Sequence, residues 1–131
     1  MSDILFEEAV QLSIDRDPRY TQEAYEFVRE ALHVSVKKFC NGDDGQHVAG
    51  QQLLEGAREH ALKEYGPMAA FILRQWGVTQ GIDIGHIVYN LINAKYFGRS
   101  QGDSLDDFAG GPDFEESLSK PFLPQKVKSS S

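Results

Sequence analysis

His47-Val-Ala-Gly-Gln-Gln-Leu-Leu-Glu-Gly-Ala-Arg-Glu-His60 begins a run that continues through Gly66-Pro67 and Trp76-Gly77 to Asp83-Ile-Gly-His-Ile-Val-Tyr-Asn-Leu-Ile-Asn-Ala94. Its apolar spacing makes three consecutive amphipathic helices, broken at Gly66-Pro67 and at Gly77-Val-Thr-Gln-Gly81. The first spans roughly Ala49 to Tyr65, with Leu53, Leu54, Ala57, Ala61 and Tyr65 facing inward. Gly50 and Gly56 lower helix propensity, so Gly56 marks a place where a neighbouring element comes close. Gly66 suits the end of that helix and Pro67 the opening of the next, which runs to Trp76 and buries Ala69, Ile72, Leu73 and Trp76. Asp83 is the expected cap of the third, whose inward set is Ile84, Ile87, Val88, Leu91 and Ile92.

Two further helices precede this run. Ser2 or Asp3 caps a short one with Ile4, Leu5, Ala9 and Leu12, joined by Val10 and Ile14, facing inward. Asp15-Arg-Asp-Pro-Arg-Tyr20 breaks it, because proline disfavours helical geometry in the residue before it. The second runs from Tyr20 or Thr21 to Phe39 on the stripe Tyr20, Ala24, Phe27, Val28, Ala31, Leu32, Ser35 and Phe39. Its acids lie early and its lysines late, as the helix dipole favours. Asn41-Gly-Asp-Asp-Gly45 is a loop.

Beyond Tyr96 the pattern changes. Tyr96-Phe-Gly-Arg-Ser100 is a candidate strand, Gln101-Gly102 a turn, and Ser104 to Phe108 a helical turn. The fold class is therefore mainly α: a single domain of about five helices over residues 1–119, then a flexible tail over 120–131 rich in proline, lysine and serine. Short helices followed by a small β-hairpin are the order of a winged helix; a plain helical bundle is the alternative.

Several of these blocks resemble a small bacterial family of unknown function, found mainly in the Planctomycetes and Verrucomicrobia lineage. They are Asp17-Pro-Arg-Tyr20, Ala24-Tyr-Glu-Phe-Val-Arg-Glu-Ala-Leu32, the stretch from His47 to Val78, Asp83-Ile-Gly-His-Ile-Val-Tyr-Asn-Leu91 and Asp103-Ser-Leu-Asp-Asp-Phe108. The resemblance covers roughly residues 17–116. The family pattern has Ser or Thr where this chain has Ala49, and Glu at Gln52, a pair that would close a capping box. Its absence here puts the start of that helix in question. The resemblance implies a domain and brings no activity, cofactor or site residue.

Charge and composition narrow the classes. With 40% apolar residues the chain has enough material for a core, and no apolar stretch approaches the ~18 residues a bilayer span needs. The N-terminus lacks the basic region and apolar core of a secretion signal, and the single Cys40 has no internal disulfide partner, so the expected location is the cytoplasm. The net charge is −7, and residues 101–116 hold Asp103, Asp106, Asp107, Asp113, Glu115 and Glu116 without one lysine or arginine. Such a surface repels phosphates, which disfavours nucleic acid and anionic membranes as partners.

No spacing of reactive groups specifies a chemistry. Glu55, Glu59 and His60 lack the paired histidines of a helical zinc site, since His60 is turned about 100° from Glu59. His33, His47 and His86 are single residues in unlike contexts. The acidic loops at Asn41 and Asp103 place no glutamate at the closing twelfth position of a calcium loop. Gly42-Asp-Asp-Gly45 sets carboxylates where a phosphate loop needs bare amides. Neither a catalytic residue nor a cofactor or metal site is assigned.

Protein interaction is the favoured reading: a small helical adaptor or regulatory module binding another, unidentified protein, with a homo-oligomer left open. Phe108 and Phe114 among carboxylates, and Phe122 and Leu123 in the tail, are its candidate contacts, although Phe108 and Phe114 equally suit pinning the C-terminal segment onto the core. The alternative is a winged-helix nucleic-acid regulator using Asn90, Asn93, Lys95 and Arg99; an enzyme of unrecognised class comes third.

Overall fold

Apolar faces at three- and four-residue spacing become six α-helices in the computed structural model, which describes residues 5–39, 49–97, 108 and 114–119. They are α1 Phe6–Arg16, α2 Gln22–Phe39, α3 Gly50–Tyr65, α4 Ala69–Gln75, α5 Gly81–Asn93 and α6 Phe114–Ser119. A 3-10 turn, Gly66–Met68, joins α3 to α4. The architecture is mainly helical, and the described residues contain no strand. Tyr96 and Phe97, expected to begin one, instead fold back onto the end of α5, both amides donating to the Leu91 carbonyl. Gly98 to Asp107, where the rest of the hairpin was expected, lie outside the described residues, as does the tail from Lys120.

Helices α2 and α3 form the spine. They cross where Gly56 faces Ala31 and Ser35: a methyl at Gly56 would overlap Ser35 Oγ and come within 3.3 Å of the Ala31 carbonyl oxygen. The close approach expected from the sequence is thus with α2. Ser35, wholly buried, donates to that same Ala31 carbonyl at 2.9 Å. Tyr25, Phe27, Val28, Leu53, Leu54, Leu73, Ile84, Ile87 and Leu91 fill the core around the crossing. Ile72, Trp76 and Val88, expected to be as deep, are half-buried at its edge.

The helix starts depart from expectation in an instructive way. Without a Ser or Thr at 49, α3 keeps the other half of a capping box: Gln52 Oε1 accepts from the Ala49 amide at 2.9 Å. Asp83 is not the cap residue of α5 but sits one turn inside, where its Oδ2 accepts from the Thr79 and Gln80 amides. The cap is therefore satisfied from within the helix, and α5 begins at Gly81. In α1 the buried stripe is Phe6, Ala9, Val10 and Ser13, while Leu5 and Leu12 face outward. The helix is rotated from the expected face because Phe6 docks edge-on against Tyr96, 5.1 Å between ring centroids, and an aromatic ring buries more surface than a leucine.

Turns lock the bundle together. Gly77, at φ 96°, lets the α4–α5 turn meet the backbone of Arg19, and the Thr21 amide donates to the Trp76 carbonyl at 3.2 Å. Lys95 occupies the left-handed position after α5, φ 71°, with Lys95 N–H to Ile92 O and Tyr96 N–H to Leu91 O closing a Schellman motif.

Candidate functional site

Phe108 and Phe114 are each only 3% exposed, so neither is presented to a partner. Phe108 fits a notch on α5 where Gly81 and Gly85, one turn apart, leave the helix surface bare: a methyl at Gly85 would lie 2.7 Å from its ring. Phe114 and Leu118 of α6 pack into the same core, and the Phe114 amide donates to the Thr79 carbonyl. These aromatics pin the C-terminal segment. Phe122, Leu123 and Arg99 fall outside the described residues.

Of the nucleic-acid candidates among the described residues, Asn90 is engaged within the fold. Asn90 Nδ2 donates to Asp17 Oδ2 at 3.0 Å and to the Tyr25 hydroxyl at 2.9 Å, which leaves it no free donor hydrogen for a base edge. Asn93 and Lys95 are exposed at the far end of the helix.

Asn90 belongs instead to a polar network that fastens the α1–α2 turn to α5. Arg19 grips Asp17 through Nε and Nη2 at 2.8 and 2.7 Å, and Ser13 Oγ donates to the Asn90 carbonyl. The Arg19 bonds and the Asn90 amide hold the Asp17 carboxyl far below the usual carboxylate range. Beside it, the Tyr20 hydroxyl donates to Asp83 Oδ1 at 2.6 Å; burial first, then that carboxylate, raise the tyrosine well above its ordinary value. No described buried side-chain nitrogen or oxygen lacks a hydrogen-bond partner. A network so fully satisfied rigidifies the turn.

The acid-rich face of α3 is neutralised by a linked set of ion pairs, with Lys38 of α2 reaching both Glu55 and Glu59. Glu55 pairs with Arg58 at 2.9 Å, which lowers its carboxyl, while Glu59 pairs with Lys38 of α2. His60 turns away to Glu30, Nε2 to Oε1 3.0 Å, with its ring 5.6 Å from that of Phe27. Among the described residues no three His, Cys, Asp or Glu side chains converge as a metal site. Nor is any described helix long and apolar enough to cross a membrane.

Among the described residues, two surface features beyond the outward Leu5 and Leu12 bear on function. Met68, at the end of the 3-10 turn, and Phe71, in the first turn of α4, stand about one turn apart, 51% and 46% exposed, with the Arg74 guanidinium 5.9 Å from the Phe71 ring centroid. The sequence held a signal for them, since Phe71 lies off the stripe Ala69, Ile72, Leu73, Trp76. The second is a cleft of about 380 Å³ lined by Arg29, Glu30, His33, Val34 and His60. No spacing foretold it, because His60 reaches Glu30 only through the packing of α3 on α2. Comparison of the chain with family models, with curated proteins and with solved structures gives no match.

Proposed function

We propose that this chain is a small cytoplasmic adaptor or regulatory module that binds another protein, and that it belongs to the bacterial family its sequence blocks resemble. The observation that carries the binding role is the exposed pair Met68 and Phe71. Large apolar side chains half in water cost hydration free energy, and grouped on one face they are the usual anchors of a protein interface. Methionine adds a flexible, polarizable contact that adapts to a partner's shape. The adjoining Arg74 supplies a cation at the rim.

The test is affinity purification from the native cell with the tagged chain and its Phe71→Ser and Met68→Ser variants. A specific partner should co-purify with the unaltered chain and be lost from both variants, while their melting temperatures stay unchanged. A partner retained by both variants places the interface elsewhere. Nucleic acid co-purifying in a salt-sensitive manner would overturn the protein-binding reading.

A further inference from the structure

The cleft between α2 and α3 has a composition that the protein-binding role does not use. Its exposed lining is mostly carbon, although Arg29, Glu30, His33 and His60 all contribute to it. Arg29 lies with its guanidinium 3.9 Å from the centroid of the Phe6 ring, which fixes one face of the group while leaving its edge donors unoccupied. It forms no ion pair with any described residue, although the chain carries seven more acids than bases. His33 stands four residues on, on the same face of α2. The cleft's own carboxylate, Glu30, is engaged by His60 Nε2, and Phe27 packs on that imidazole. The site thus offers an oriented cation, without an ion-pair contact among the described residues, beside an apolar wall that contains Val34.

We propose that this cleft binds a small organic carboxylate with a compact apolar body, such as an aromatic or branched-chain acid. Its carboxylate is received by Arg29, whose planar fork matches two oxygens at once, and its body lies along Val34 and the His60 ring. At about 380 Å³ the space is at the lower end of small-ligand clefts and is ample for one ring with its carboxylate. This inference does not depend on the Met68–Phe71 interface, because no residue is shared.

The experiment follows backbone amide shifts of the full chain by NMR during titration with benzoate. Benzamide tests the same ring without charge, and inorganic phosphate the charge without a ring. Benzoate should give saturable shifts at Arg29, Glu30, His33, Val34 and His60, with both controls at least about tenfold weaker. Arg29→Gln should weaken benzoate about tenfold, whereas Leu12→Ser on the outer face of α1 should leave it unchanged. Should Arg29→Gln unfold the chain, Arg29→Lys replaces it and should still weaken benzoate, since lysine keeps the charge without the fork. Benzoate without saturable shifts at millimolar concentration, benzamide or phosphate binding as tightly, or an Arg29 variant with unaltered affinity would each overturn the proposal.

Discussion

Replacing Gly56 by alanine tests the α2–α3 crossing on which the rest of the bundle is built. On an exposed helix that change stabilises by about 1 kcal/mol, because alanine has the higher helix propensity. Here the new methyl would overlap Ser35 Oγ, lie 3.0 Å from Ser35 Cβ and reach to 3.3 Å from the Ala31 carbonyl oxygen. Ser35 has no room to yield: it is wholly buried and its hydroxyl is committed to Ala31. Relief requires either rotation of that hydroxyl, with loss of its bond, or separation of the helices. Overpacking of this kind costs about 1–3 kcal/mol and a lost hydrogen bond about 1 kcal/mol more, so the propensity gain is outweighed. We expect Gly56→Ala to be destabilised by about 1–3 kcal/mol, a fall in Tm of several degrees for a chain this size. Combining it with Ser35→Ala removes the worst overlap, and the pair should be more stable than the two single effects predict by about 1 kcal/mol. Thermal and urea melts of the four proteins provide the cycle. A Gly56→Ala protein as stable as the parent, or strictly additive effects, would refute the crossing geometry.

Three other outcomes follow from particular contacts. Phe108→Ala should cost about 3–5 kcal/mol in a urea melt, whereas Phe71→Ala should change stability by less than about 0.5 kcal/mol, separating a core anchor from a surface residue. Asp17 contributes stability above its unfolded pKa of about 3.9, and that contribution is lost as pH falls toward its much lower folded value. Asp17→Asn should therefore be less stable than the parent at neutral pH, with the gap closing in melts taken below about pH 4. Lys95→Gly should raise stability by about 1 kcal/mol, since φ 71° is unfavourable for a lysine and free for glycine; a lower Tm would show that the lysine side chain makes a compensating contact.

Helices were legible because their signals are local. The 3.6-residue period of α2, α3 and α5 and the Gly66-Pro67 break each read out from neighbours within two turns, whereas Gly56 signalled a close approach without saying that the neighbour is α2. The face of α1 was not legible, since Phe6 and Leu5 compete for the core and the winner is set by Tyr96, ninety residues away. The role of Phe108 was equally closed to sequence reading. An aromatic among carboxylates looks the same whether it meets a partner or the bare notch between Gly81 and Gly85. The cleft is the extreme case: Glu30 and His60 are thirty residues apart and meet only because α3 packs against α2 at Gly56. Sequence by itself located α1 to α5, because their apolar periods and backbone hydrogen bonds are complete within a few residues, but not the short α6, Phe114–Ser119. Only the tertiary structure decided which side chains are left over for a partner or a ligand, because burial depends on every element that packs against them.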